Sequence, residues 1–358
     1  MVRPTYAEVD LGAIAHNVAV LKALIAPSQL CTVVKADAYG HGDVPVASMA
    51  LAFGADLLAV ALVEEGARLR EAGIDAPILL LSEPEVSAAP EVAEWDLTPT
   101  AYSVPFVEAL AGTGRAHEVH LKVDTGMHRV GAAPDAVDGL VAAIRDTPTL
   151  NLAAMWTHFA VADEDPVYTR SQIELFDDVV SAHDSPMTHM ANTAGAVLFP
   201  EARRDMCRIG LGTYGLHPCP ATKDEIELRP AMRLVTHVSN VQRLPKGERP
   251  SYGRIRAVEA DSNVVTAPIG YADGFARSLT RSGSALIGGR RYPLAGTVTM
   301  DQIVIDVGDD KHGVGDEVVL LGGQGEDEIT AEEWAKQLGT ISYEVVCSIG
   351  PRVPRRYV

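Results

Sequence analysis

From residue 11 to about residue 210 the chain alternates short apolar runs with longer amphipathic segments, and nothing else in the sequence narrows its folding options as much. The runs lie at 31–35, 57–62, 77–82, 97–102, 118–123, 152–158, 187–190 and 205–209. Helix-like stretches such as 63–72, 134–145 and 166–182 stand between them. Near-continuous apolar strands alternating with helices imply a parallel sheet covered on both faces. Eight such units in ~200 residues fit a (β/α)8 TIM-like barrel. A doubly wound open sheet is the rival, and the strand count weighs against it.

The pattern changes after Pro220. Residues 231–321 alternate in β fashion between glycine-rich turns (VVTAPIG, SALIGG, QIVIDV, EVVLLGG), interrupted later by one expected helix at 330–338. The stretch 219–230, bounded by Pro220 and Pro230, reads as a linker. The expectation is an α/β barrel over 11–225 and a C-terminal mainly-β domain over 226–358. A length of 358 residues suits two domains.

Composition excludes several classes. A net charge of −18 does not favour nucleic acid or anionic lipid as partners. The longest apolar-rich stretch, 44–63, is broken by Pro45, Gly54 and Asp56 and is no membrane span. The opening MVRPTYAEVDL lacks the apolar core of a signal peptide. Cys31, Cys207, Cys219 and Cys347 are scattered with no CxxC pair, so neither a zinc site nor a disulfide framework is expected, and a reducing cytoplasm is.

Several strand ends carry reactive groups. Lys35 closes the first run, in CTVVKADAYGHG, where barrels place catalysis. A lysine in apolar surroundings loses its charge more readily and becomes nucleophilic; otherwise it is a side chain snorkelling at a strand end. In EVHLKVD, alternation sets His120, Lys122 and Asp124 on one face. Either that face is exposed, or a buried Lys122 needs an anionic partner or a change of charge, because an unpaired buried charge costs several kcal/mol (roughly). Arg129 follows in DTGMHRVG. His158 and His189 close the sixth and seventh runs, and Arg208-Ile209-Gly210 the eighth. One strand-end histidine is more often structural, but several polar residues converging on one mouth are harder to dismiss. Asn192, Thr193 and the amides near Gly210 lie where such barrels cradle phosphate. The GxGxxG string Gly210–Gly215 precedes His217-Pro218-Cys219-Pro220 rather than a helix, which argues against a dinucleotide site.

Taken in order, VVKADAYGHG, HLKVDTGMHRVG, THFAVAD, HMANTAG, CRIGLGTYGL, PSYG, PIGYADG, TMDQ and YEVVCSIGPRVPR closely resemble alanine racemases, fold-type III pyridoxal-phosphate enzymes, over nearly the whole chain. The resemblance implies an N-terminal barrel and a C-terminal β domain that residues 1–10 join. It implies pyridoxal 5'-phosphate held by Lys35, which also acts as one base. Tyr252 resembles the opposing base, supplied by the other subunit of a homodimer. Tyr39, Thr193, Gly210, Leu211 and Tyr343 resemble the phosphate-binding set, with Asn192 beside them. Arg208 resembles the partner of the pyridine nitrogen, and His158 the residue next to the ring. Arg129 and the Met300 amide resemble groups near the substrate carboxylate, Tyr271 an entrance residue, and Lys122 a lysine that some members carbamylate. Many members carry arginine and cysteine where this chain has Thr297 and Thr299.

The implied activity is interconversion of L- and D-alanine in the cytoplasm, supplying D-alanine for peptidoglycan. Racemisation removes the Cα proton from one face and returns it to the other, so two bases flanking a planar centre are economical. A tyrosine base at pH ~7 needs a neighbouring cation, since its reference pKa is ~10. A serine or broad-specificity racemase, a decarboxylase on the same plan, and a non-catalytic cofactor-binding barrel are the alternatives. Tyr252 and the MDQ segment disfavour the decarboxylase.

Overall fold

The computed structural model describes residues 3–184 and 187–358, and the chain divides into two compact units. Of these residues, 12–38, 42–184 and 187–229 make up one, and 3–11, 39–41 and 230–358 the other.

The first unit is built on eight parallel strands: β2 (Gln29–Val33), β3 (Leu57–Val60), β4 (Ile78–Leu80), β5 (Thr100–Ala101), β6 (His117–Lys122), β7 (Leu150–Trp156), β8 (Thr188–His189) and β9 (Met206–Ile209). Here β1 denotes Tyr6–Val9 of the other unit. The sheet order β4-β3-β2-β9-β8-β7-β6-β5 follows the chain cyclically. The ring is completed by a single bridge, Leu79 to Thr98, with Leu80 N–H donating to Thr98 O at 2.9 Å. This is the eight-stranded barrel that the alternating pattern implied. Helices cover its outer face, and their starts are written in the sequence. Asp165 accepts from the amides of Val167 and Tyr168 to open helix Pro166–Ser181, with Pro166 in the first turn where no N–H is needed. Ser103 does the same for helix Val104–Gly112.

Two local expectations are corrected. Strand β2 ends at Val33, so Lys35 stands beyond it, at the head of a turn in which residues 36–39 all have φ near +53°. Residues 219–230 are not all linker: Pro220–Glu225 is a short helix, because proline is tolerated in a first helical turn and the following residues are helix-compatible.

The second unit holds two antiparallel-rich sheets. Strands β10 (Met232–His237), β13 (Ser284–Ile287), β14 (Arg290–Pro293), β16 (Glu317–Gln324) and β18 (Arg355–Tyr357) join β1 in the order β14-β13-β16-β10-β1-β18, with β17 (Asp327–Ile329) pairing β16. Strands β11 (Asn240–Leu244), β12 (Ser262–Ala267) and β15 (Ile303–Gly308) form the smaller sheet. The expected helix at 330–338 is Ala331–Leu338, opened by Thr330 and closed by Gly339 at φ +70°; a second helix, Ser342–Cys347, follows. Among the described residues no helix is long and apolar enough to cross a membrane.

Candidate active site

In the first unit the C-terminal ends of the strands bring together Lys35, Lys122, His158, Asn192, Thr193, Arg208, Gly210 and Leu211. The turn after Lys35 is costly, because left-handed backbone disfavours side chains by about 1–2 kcal/mol per residue. Side chains of two neighbouring helices, Asp43–Ala52 and Val63–Glu71, and of the turn itself hold it. Glu65 Oε1 accepts from Ala36 N–H at 2.7 Å, while its Oε2 accepts from the amides of Ala61 and Leu62 at 2.8 and 3.1 Å. Asp37 Oδ1 accepts from Asp43 N–H at 3.0 Å, and Asp43 in turn takes Arg68 Nε at 2.6 Å. Glu65 was not singled out in the sequence, where it reads as an ordinary acid in the first turn of a helix.

Lys122 is buried rather than exposed. Its Nζ lies 4.2 Å from the Trp156 ring centroid and 3.4 Å from Leu81 O. Burial, reinforced by the positive charges of Arg208, Arg129 and Lys35, pushes its pKa down to about 7. Arg129 sits in an exposed loop folded back onto the end of β6: Asp124 N–H donates to Ala132 O and Ala132 N–H to Lys122 O. Gly131 permits this return at φ +136°, since a Cβ there would lie 2.8 Å from Asp124 N.

Arg208 is 2% exposed. Its Nη1 donates to His189 Nδ1 at 2.7 Å, and its Nη2 donates to Thr157 O, Met190 O and His158 Nδ1 at 2.9, 3.1 and 3.1 Å. Burial lowers its pKa to about 10, so it keeps its charge at neutral pH. His189 continues to His120, Nε2 to Nδ1 at 3.0 Å, and stacks on Trp156 with centroids 5.3 Å apart. Burial followed by the charge of Arg208 holds His158 and His189 well below the usual histidine range, and His120 at about 4. The loop bearing His158 is braced by Gln172, which donates to His158 O at 3.2 Å and accepts from Ala160 N–H at 2.9 Å.

Thr193 and the Gly210–Leu211 turn adjoin: Gly212 N–H donates to Thr193 Oγ1 at 3.4 Å, and a Cβ on Gly212 would lie 2.9 Å from Thr193 Cγ2. Asn192 Oδ1 is used locally, accepting from Gly195 N–H at 2.8 Å. Among the described residues no carboxylate forms an ion pair with Lys122 or Arg208. The buried Arg208 guanidinium, with no carboxylate on it among the described residues, suits an uncharged or anionic acceptor atom of a ligand at the barrel mouth.

The second unit holds the remaining candidates. Tyr39 and Tyr343 are ring neighbours, with centroids 6.1 Å apart. Tyr252, Tyr271 and Met300 are exposed and line an open cavity of about 1070 Å³ together with Arg277, Thr297 and Thr299. The loop carrying Tyr271 is tied to that of Met300: Tyr271 N–H donates to Thr299 O and Ala272 N–H to Met300 O, at 3.0 and 3.1 Å. Beneath it, fully buried Asp273 accepts from Arg3 and from Gly270 N–H.

Comparison with known proteins agrees with this architecture. Residues 9–218 match the family described as alanine racemase, N-terminal domain, and residues 231–357 match alanine racemase, C-terminal domain. The alanine racemase of Symbiobacterium thermophilum is 44% identical, the alignment covering 99% of this chain and 97% of that protein. That of Desulfovibrio desulfuricans is 41% identical, covering 99% and 98%. Among solved structures, alanine racemase from Bacillus anthracis with bound L-Ala-P superposes with a TM-score of 0.94 at 36% identity, covering 100% of this chain and 96% of that one. The Streptomyces lavendulae enzyme gives 0.94 at 37%, covering 100% and 98%. With both domains matched and identity above 40% along nearly its full length, the chain belongs to the alanine racemase family, whose members are amino-acid racemases of the isomerase class.

Proposed function

We propose that the chain interconverts L- and D-alanine by a two-base mechanism with pyridoxal 5'-phosphate held covalently on Lys35, and that it supplies D-alanine for peptidoglycan in the cytoplasm. The observation that carries the cofactor assignment is Arg208, a buried guanidinium held at a barrel mouth by His189, His158 and two carbonyls, with no carboxylate on it among the described residues. When bound, the cofactor supplies an electron sink that acidifies the substrate Cα proton. Everything else falls to side chains. Arginine has donors only, so Arg208 gives a hydrogen bond to the pyridine nitrogen without protonating it, which leaves a weaker sink and restrains side reactions. Thr193, Gly210, Leu211, Tyr39 and Tyr343 hold the phosphate; Arg129 and the Met300 amide orient the carboxylate; Tyr271 lines the entrance. Lys35 takes or returns the Cα proton on one face. Tyr252, contributed by the second subunit of a homodimer, does so on the other.

A further reading follows for Lys122. With its pKa near 7, a substantial fraction of its amine is neutral and able to add to carbon dioxide, releasing one proton and leaving a carbamate to pair with Arg129. The barrel over 11–225 and the β domain over 226–358 with 1–10 are the cofactor-binding and base-presenting parts of this scheme.

The test is chiral analysis of alanine and serine after incubation with the purified holoenzyme, with borohydride treatment of a parallel sample. Racemisation of alanine in preference to serine, and a mass increment of the reduced cofactor on the Lys35 peptide, are expected. Serine turned over faster would change the substrate; a label elsewhere or none would remove Lys35.

A further inference from the structure

The backbone that presents Tyr252 is strained. Ser251 has φ +69° and ψ 179°, a region that is essentially glycine's alone. Gly253 and Arg254 follow at φ +72° and +48°. Strain of this kind costs about 1–3 kcal/mol per residue and persists only where the surroundings over-determine it. Arg249 Nη1 donates to Arg254 O at 3.1 Å at the far end of the turn, and the Ser251–Tyr252 end is held by one short segment, 296–297. Ser251 Oγ donates to Thr297 O at 2.7 Å, and Thr297 Oγ1 donates to Tyr252 O at 2.6 Å. The two bonds run in opposite directions between the same two stretches of chain. Gly296 closes the contact: a Cβ there would lie 2.5 Å from Pro250 O and 2.8 Å from Ser251 Cβ. Thr297 is 6% exposed, whereas the Tyr252 side chain that its bond serves stands out at 76%. No other hydrogen bond to Tyr252 is formed among the described residues, so the tyrosine is aimed by its backbone alone.

We infer that Thr297 is a positioning residue: with Ser251 it forms a reciprocal clamp that holds Tyr252 in a strained, outward presentation. The inference rests on Tyr252 acting as a base. A ring that projects from a strained turn moves as the turn relaxes, and a misplacement of about 1 Å at a reacting group can cost roughly 100-fold in rate. The hydroxyl matters more than the volume of the residue, because only the hydroxyl reaches Tyr252 O.

The experiment compares holoenzyme Thr297→Val, which keeps the shape and loses the donor, with Thr297→Ser, which keeps the donor. Ser251→Ala removes the opposite bond, and Tyr252→Phe is the reference. The readouts are kcat, KM, and the α-deuterium isotope effect measured separately from L- and D-alanine, with amide hydrogen exchange of residues 251–254. Thr297→Val should lose roughly 10-fold to 100-fold in kcat with KM within about 3-fold. Its isotope effect should rise from one enantiomer only, the one whose proton Tyr252 removes. Ser251→Ala should raise the isotope effect from the same enantiomer, Thr297→Ser should stay within about 3-fold of the parent, and exchange at 251–254 should quicken in Thr297→Val and Ser251→Ala but not in Thr297→Ser. Equal losses in the valine and serine variants, isotope effects that change alike from both enantiomers, or unchanged exchange would overturn the clamp. Should Thr297→Val fail to fold, Ser251→Ala and the exchange data still decide. Full activity in Tyr252→Phe would instead remove the base, and leaves the exchange measurement to judge the clamp by itself.

Discussion

Arg208 Nη1 donates to His189 Nδ1 across 2.7 Å, and that one bond fixes the protons of a chain of buried side chains. A guanidinium has no acceptor, so His189 Nδ1 must carry the lone pair and Nε2 the hydrogen. His189 Nε2–H then donates to His120 Nδ1, which places the hydrogen of His120 on its own Nε2.

Nitrogen-15 NMR of histidine-labelled protein should therefore find both residues neutral and in the Nε2–H form at pH 7. Acid should break the chain from the His120 end. Its folded pKa of about 4 lies below the unfolded value of ~6.5, so the unfolded state binds the extra proton in between. The His120 contribution is complete above pH ~6.5 and falls as the pH drops towards 4, by up to about 3 kcal/mol. His120→Leu should make that acid limb shallower, leaving the part due to His158 and His189, while costing about 1–3 kcal/mol at pH 7 through the orphaned His189 N–H. An Nδ1–H form of His189, or an acid limb unaltered in the variant, would refute the chain's polarity.

Lys122 adds a second limb of the same sign at higher pH. Its folded pKa of about 7 lies below the lysine reference of ~10.4, so the cost of burying the charge is full below pH 7 and is relieved as the pH rises towards 10. In buffer stripped of carbon dioxide, Lys122→Met should be more stable than the parent by roughly 1–3 kcal/mol at pH 6, with the gap closing by pH 10. Carbamylation removes the same cost chemically. Labelled bicarbonate should then give a carbon-13 carbamate signal that is absent from the methionine variant, and Lys122→Ala should regain activity with added short-chain carboxylates. A parent protein with no carbamate signal at saturating bicarbonate would leave Lys122 an unmodified amine on Trp156.

Glu65 joins three backbone amides, of which Ala36 N–H follows Lys35 directly. Glu65→Ala should lower stability by about 1–3 kcal/mol and slow borohydride-trappable loading of Lys35, because the left-handed turn loses its nearest acceptor. Glu65→Gln keeps one good acceptor and should fall between the two. Loading at the parent rate in the alanine variant would show that Asp37 and Asp43 hold the turn unaided.

Glu65 also marks where the sequence stops being legible. The barrel could be read because eight apolar runs carry their own period, and Lys122, His158, His189 and Arg208 could be read because polar residues ending such runs demand an explanation. The left-handed turn at 36–39 could not, since Ala-Asp-Ala-Tyr has no glycine to announce it and its stability comes from a carboxylate nearly thirty residues away. Thr297 stands out in the sequence only as a departure from the family pattern; its bond to Tyr252 O depends on a tertiary contact across 45 positions. The helix Pro220–Glu225 hid behind prolines that mark a break and a helix start equally well.

The sharing of active sites between subunits is tested by complementation. Lys35 belongs to the first unit and Tyr252 to the second, and each is expected to be indispensable. Lys35→Ala and Tyr252→Phe are prepared separately as inactive holoenzymes and mixed under conditions shown to exchange subunits. In a hybrid dimer the phenylalanine chain still supplies Lys35 and the alanine chain still supplies Tyr252. If a site takes one residue from each chain, those two meet in one intact site while the other site carries both defects. Half of randomly paired dimers are hybrids with one good site of two, so activity should recover to about a quarter of the parent value for a two-fold dimer. If each chain builds its own site, every site keeps one defect and mixing restores nothing. Exchange demonstrated by mass-tagged subunits without any return of racemisation would therefore rule out Tyr252 acting in the partner's site.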